Sequence, residues 1–344
     1  MTPSDVVRAV LEFDSPPRIG FRLPPPYPND FISAGRVERA PVELEPRGNE
    51  VRRWRDEWGV TWAALTHFDK GEVVEGAIQD WSCLDSYEPP DLGRREDYAE
   101  AARVFASERQ RFRLGSLPGF TFNIARKIRK LEHYLCDLRL EPERISRLHD
   151  IVRAQLLKAI DRLAEAGADG IVFCEDWGTQ QSLMVSPAMW REIFRPEFET
   201  LAGRAHEHGM YVFMHSCGRM TAIIGDLIEC GVNCLLFDQP RLHGIERLGE
   251  EFGGRVAFCC PVDIQSTLLT RDREAIRAEA RLLIEKLGSG GGGFIADNYG
   301  SPESIGITQE VQNIACEAFV EFGMDFHRKR RAQTFPSGAT RHDG

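Results

Sequence analysis

From residue 111 onward, short apolar runs alternate with longer stretches whose apolar positions recur every three or four residues. Arg111-Phe112-Arg113-Leu114-Gly115 predicts a strand. Residues 142–166 predict a helix, because Ile145, Leu148, Val152, Leu156, Ile160 and Leu163 fall on one face. Gly167 supplies its stop. Gly170-Ile171-Val172-Phe173-Cys174 predicts the next strand. Ser186-Pro187 then opens a helix with Ser at the cap and Pro in the first turn, running to Gly209. A strand at 211–216 follows, then a helix closed by Gly231, a strand at 232–237 and a helix near 244–252. A strand at 255–259, a helical region to about 287, a strand at 292–296 and a last helix at about 308–323 complete the pattern.

Apolar strands alternating with amphipathic helices mean βαβ units and a parallel sheet. Six such strands lie between residues 111 and 296. Upstream, residues 18–22 predict a first short strand before Pro24, Pro25, Pro26 and Pro28, residues 60–65 another strand, and residues 97–110 a helix. The count predicts a (β/α)8 TIM barrel, a single domain with an N-terminal elaboration. A doubly wound sheet is the alternative, and no glycine fingerprint supports its nucleotide-binding form. The expected organisation is an N-terminal extension with the first strand region at 1–50, the barrel at 51–326 and a disordered basic tail at 327–344.

Composition narrows the function classes. The chain of 344 residues carries a net charge of −10, which makes it a poor candidate for nucleic-acid binding. No apolar run approaches the roughly 18 residues needed to span a bilayer, so no membrane association is expected. The start, Met1-Thr2-Pro3-Ser4-Asp5, has no basic-then-apolar leader pattern, and a cytoplasmic location is expected. Nine scattered cysteines are read as reduced thiols rather than a disulfide framework. A small-molecule substrate is expected, and a homodimer is left open.

In a (β/α)8 barrel the chemistry sits at the carboxyl ends of the strands. Those ends carry Glu175, Asp176 and Trp177; His215, Ser216 and Cys217; Asp238 and Gln239; Cys259, Cys260 and Asp263; and Asp297, Asn298 and Tyr299. His215 and Cys217 stand two apart, so a strand turns both to one side, and an imidazole with a thiol makes half of a zinc site. Two buried core residues are the plainer alternative. Glu175 and Asp176 are adjacent and tend to point apart, so one suits a metal or acid–base role and the other a cap. Asp238 can contact substrate or orient His215. Tyr299 can donate a proton or wall the pocket. The run Gly288-Ser289-Gly290-Gly291-Gly292-Gly293 precedes a strand and lacks a P-loop Lys-Ser/Thr, so it predicts a flexible connection rather than a phosphate loop.

Glu175-Asp176-Trp177-Gly178, Ser186-Pro187 with Trp190-Arg191 and Pro196, His215-Ser216-Cys217-Gly218, Asp238-Gln239-Pro240 and the Gly-rich entry to Phe294-Ile295 together resemble the uroporphyrinogen decarboxylase superfamily. The resemblance covers roughly residues 110–323 and implies a (β/α)8 barrel. One branch comprises cobalamin-dependent methyltransferases that act with corrinoid proteins. It holds zinc through His-x-Cys and a distant second Cys, and the zinc binds a thiol as thiolate. His215 and Cys217 match the first part, while Tyr299 falls where the second Cys is expected. Glu175 is the expected third ligand, with Asp297 or Cys260 as alternatives. The other branch is metal-free and decarboxylates a tetrapyrrole held by an early arginine motif. Here that segment reads Arg18-Ile19-Gly20-Phe21-Arg22.

The resemblance therefore implies a zinc-dependent methyl or demethyl transfer enzyme with a corrinoid-carrying partner. Its metal ligands are His215, Cys217 and Glu175. Asp238, Asp297, Tyr299 and Asp176 are the catalytic candidates, and Arg22, Trp177, Gln239 and Asn298 the substrate-binding ones. Decarboxylation of a tetrapyrrole or other carboxylated substrate, and a non-catalytic tetrapyrrole- or corrinoid-binding barrel, are the competing expectations.

Overall fold

The computed structural model describes residues 1–66 and 70–327. Twelve strands are present: β1 (Gly20–Arg22), β2 (Phe31–Gly35), β3 (Val42–Leu44), β4 (Arg52–Arg55), β5 (Thr61–Ala64), β6 (Glu72–Glu75), β7 (Phe112–Ser116), β8 (Gly170–Cys174), β9 (Tyr211–His215), β10 (Cys234–Leu236), β11 (Ala257–Cys260) and β12 (Phe294–Asp297). Eight form one parallel sheet in the order β1-β12-β11-β10-β9-β8-β7-β2, a nearly closed barrel with surrounding helices. The expected TIM barrel is therefore the fold. Residues Met1–Phe31 with the chain from Leu236 make one compact unit, and Ile32–Leu235 make a second.

In the second unit, β3 to β6 form a separate antiparallel sheet. The strand expected at 60–65 belongs to it as β5 and not to the barrel. Here Trp54 and Trp62 stand opposite one another, their rings stacked with centroids 6.2 Å apart. The expected helix at 142–166 runs Pro142–Ala166, and its six apolar-face residues are all buried. Gly167 ends it in the left-handed conformation at φ 92°. The stretch expected as one helix to Gly209 is two, Pro187–Ile193 and Arg195–Glu207, the second with proline in its first turn.

Further elements were not foreseen. Two helices, Thr121–Ile128 and Leu131–Leu140, fill the interval after β7, and β2 supplies the remaining barrel strand. Between β8 and the helices lies an aromatic cluster. Trp177 stacks on Phe122 at 4.2 Å and meets Phe194 edge-on at 4.8 Å, while Phe120 stacks on Phe173. Each fully buried ring contributes about 1.5–3 kcal/mol through burial.

In the first unit, β11 and β12 are buried along their whole length, as parallel strands covered on both faces require. The glycine run before β12 is a packed joint rather than a slack connection. A Cβ on Gly292 would stand 2.8 Å from the Val10 carbonyl oxygen of the helix Pro3–Leu11, and one on Gly293 2.7 Å from the Phe13 ring. Among the described residues no helix is long and apolar enough to cross a membrane. The tail beyond His327 lies outside the described residues.

His149, on the long helix, is buried and its Nε2 lies 2.8 Å from the hydroxyl of Tyr134. Burial pushes its pKa from 6.5 down to about 3. The unfolded chain then takes up a proton below pH 6.5 that the folded chain refuses until about pH 3. This contribution to stability is complete above pH 6.5 and is lost as pH falls, by roughly 1.4 kcal/mol per pH unit. Urea unfolding of wild type and His149→Phe should show it. The variant, whatever its offset, is expected to have a shallower loss of stability between pH 6 and 4.

Candidate metal centre

The site in the second unit is built by two loops that continue the pairing of β8 and β9. Glu175 N–H donates to the His215 carbonyl at 2.8 Å, Gly178 N–H to the Cys217 carbonyl at 3.3 Å, and Arg219 N–H to the Thr179 carbonyl at 2.7 Å. Trp177 N–H donates to the Ser216 hydroxyl at 3.2 Å. The loops can lie this close because each carries a glycine at the crossing. A Cβ on Gly218, at φ +74°, would stand 2.1 Å from the Gly178 carbonyl oxygen, and one on Gly178 would stand 2.4 Å from the Arg219 nitrogen.

This pairing gathers Asp176, His215 and Cys217, whose ligand atoms all lie within 4.8 Å of one another. His215 Nε2 and Cys217 Sγ are 3.4 Å apart. Tetrahedral zinc with bonds of about 2.0–2.3 Å sets its ligand atoms roughly 3.3–3.8 Å apart, so the imidazole–thiol pair already has that spacing. Asp176 Oδ1 accepts from the Cys217 N–H at 2.9 Å, and Arg126 lies 3.5 Å from Oδ2. Asp176 and His215 are half-buried and Cys217 is exposed. One imidazole, one thiol and one carboxylate are a donor set that zinc accepts, with a coordination position left over for another group.

Glu175, the expected third ligand, is outside this group. It is fully buried, and its carboxylate accepts from the backbone N–H groups of Phe122 at 3.1 Å and Asn123 at 2.6 Å. These are first-turn donors of the helix Thr121–Ile128, whose own cap residue Phe120 makes no side-chain cap bond. Glu175 is therefore the remote cap of that helix. Burial raises its pKa to about 8, opposed by the two N–H donors and by Arg126. Of the adjacent carboxylates, Glu175, expected as a metal ligand, caps the helix, and Asp176, expected as a catalytic residue, joins the ligand group.

Trp177, expected to touch substrate, is fully buried in the aromatic cluster. In the first unit, Arg22 pairs with Asp297 at 3.1 Å, and the Cys259 thiol donates to the same carboxylate at 3.5 Å. Asn298 N–H donates to Asp297 Oδ1 at 2.8 Å. The half-buried Tyr299 has its carbonyl held by the Gln312 amide. Gln239 is buried, and its side-chain oxygen accepts no hydrogen bond among the described residues. Asp238 is half-buried, and its carbonyl accepts from Ile264 N–H at 3.2 Å. Cys260 is fully buried, which pushes its thiol pKa upward.

The uroporphyrinogen decarboxylase family model matches residues 67–323. The chain belongs to the uroporphyrinogen decarboxylase (URO-D) family. Among solved structures, a methyltransferase from Methanosarcina mazei aligns with TM-score 0.62 and 18% identity, over 77% of this chain and 76% of that one. An L-ribulose 3-epimerase aligns at 0.47 and 11% identity over 72% and 85%, and a D-psicose 3-epimerase at 0.44 and 12% over 71% and 87%. No curated protein is a significant match. In this URO-D family chain, the residues that sequence reasoning missed are Arg126 and Lys127. The signal was available in the apolar spacing of Phe122, Ile124, Ala125 and Ile128, all buried on that helix.

Gly218→Ala is expected to destabilise the protein by about 2 kcal/mol or more, since it adds left-handed strain to a backbone clash. Gly203→Ala, on the helix Arg195–Glu207 with open space around it, is expected to be neutral or stabilising by up to about 1 kcal/mol. Urea unfolding of the two variants beside wild type checks the pair.

Proposed function

We propose that this URO-D family chain is a metal-dependent enzyme of methyl or demethyl transfer, with Asp176, His215 and Cys217 holding a zinc ion. The observation that carries this is the convergence of their ligand atoms within 4.8 Å at the ends of adjacent parallel strands. The fold likeness to the Methanosarcina mazei methyltransferase is consistent with it. A bound zinc would supply Lewis acidity, holding an incoming thiol as thiolate at the remaining coordination position.

The chain's own residues prepare that position. The Cys217 N–H and Arg126 hold the Asp176 carboxylate from two sides. The register Cys174↔His215 fixes where the imidazole leaves the sheet. A carboxylate in place of a second thiolate makes the donor set harder than a thiolate-rich one. A corrinoid-carrying protein is the partner class that goes with this reading. Tetrapyrrole decarboxylation would call on Arg22 as an anion ligand, and Asp297 already neutralises that guanidinium.

Metal analysis of protein purified without an affinity tag tests the assignment. About one zinc per chain is expected in wild type. Asp176→Asn, His215→Ala and Cys217→Ser should each weaken zinc binding by more than the roughly 10–100-fold seen for outer-shell partners. Glu175→Gln should retain zinc. Wild type that binds no zinc when it is supplied, or a Glu175→Gln variant that loses zinc while Asp176→Asn keeps it, would overturn the proposal.

A further inference from the structure

A cavity of about 590 Å³ in the second unit has Asp176 and Cys174 on its wall, with Trp62, Arg126, Lys127 and Lys130 around it. A neighbouring cavity of about 310 Å³ shares Trp62 and Lys127 and adds Trp54, Trp58 and Ile124. Both volumes suit a small organic molecule. The three cations differ in what holds them. Arg126 is engaged by Asp176 at 3.5 Å and by the Asn123 amide oxygen at 2.8 Å, and Lys130 by Glu132 at 2.6 Å. Lys127 has neither an ion pair nor a side-chain hydrogen bond among the described residues, and its ammonium lies 5.5 Å from the centre of the Trp62 ring.

The nearby Asp56 is already used. Its carboxylate accepts from Trp62 Nε1 at 2.7 Å and from the N–H groups of Trp58 and Val60. The rim carboxylates Glu38 and Glu72 are exposed and make no bond to Lys127. Burial, with Arg126 beside it, lowers the Lys127 pKa, opposed by the more distant carboxylates of Glu175, Asp176 and Asp56. A half-buried ammonium with no direct ion pair among the described residues is costly, and an incoming anion in contact with it lowers that cost. Trp62 is meanwhile a fixed wall, stacked on Trp54 and tied by its indole N–H to Asp56.

We propose that this cavity is the substrate subsite, and that it takes a small organic oxyanion with a flat apolar body, Lys127 being the counter-ion and Trp62 the wall. That the bound molecule is the substrate rests on the methyl-transfer reading above. The binding chemistry rests on Lys127 and Trp62 alone.

The test is a titration of the metal-stripped full-length protein with benzoate and with its neutral analogue benzamide, read by tryptophan fluorescence. Benzoate is expected to bind at least tenfold more tightly than benzamide. Lys127→Met should abolish the difference, Lys127→Arg should restore most of it, and Lys130→Met should leave it unchanged. Thermal melts of the variants confirm folding. No benzoate binding, equal binding of the two probes, or a preference that survives in Lys127→Met overturns the subsite. Displacement of benzoate by an equal concentration of inorganic phosphate overturns the apolar part of the assignment. Zinc content, measured separately, can fail while the benzoate preference holds, and the reverse, so the two readings fall independently.

Discussion

Two backbone positions without side chains allow the candidate centre to form. Gly178 and Gly218 let the loops after β8 and β9 pass so closely that a Cβ on Gly218 would stand 2.1 Å from the facing carbonyl oxygen. That approach extends the parallel pairing beyond the strand ends through three backbone hydrogen bonds. Asp176 and Cys217, 41 residues apart in sequence, thereby meet through a direct side chain–backbone bond. An aqueous loop carboxylate and an exposed thiol would otherwise have no reason to share a site. The close approach also explains why both stretches end in glycine.

The second constraint is a helix that cannot cap itself. Thr121–Ile128 begins after Phe120, which offers no acceptor to the first-turn N–H groups. Glu175 supplies one from the neighbouring strand end. A buried carboxylate is tolerated there because two N–H donors and the helix dipole face it. The same bonds set the helix's place beside the candidate centre. They therefore fix where Arg126 reaches Asp176 and where Lys127 enters the cavity beside Trp62. The same end of the helix is also secured by Thr121, which donates to Glu197 at 2.9 Å, and Glu197 is in turn paired with Arg153.

The antiparallel sheet β3–β6 adds to the barrel what its strand ends lack. Cross-strand pairing places Trp54 opposite Trp62, and Asp56 ties the second ring down. The result is a rigid aromatic wall next to a cation. In the first unit, by contrast, one strand-end carboxylate gathers several polar groups. Arg22, Cys259 and the Asn298 amide all converge on Asp297. Asp297 is thus engaged from three sides, whereas Asp176, His215 and Cys217 bring three ligand atoms together.

The fold was legible because burial leaves a periodic trace. The 3.6-residue face of Pro142–Ala166, the apolar runs of β8 and β11 and the apolar start of β12 follow from helix and strand geometry alone. The pair His215 and Cys217 was legible for the same reason, since positions two apart share one side of a strand. What the sequence left undecided depended on distant chain. The barrel strand β2 has no apolar run, only Phe31 being buried, and β5 has the composition of a barrel strand yet pairs antiparallel elsewhere, because pairing is chosen by neighbours and not by propensity. Adjacency told that Glu175 and Asp176 would part, but not which way. That choice was made by two unsatisfied N–H groups some 52 residues upstream, whose need for an acceptor only the folded chain reveals.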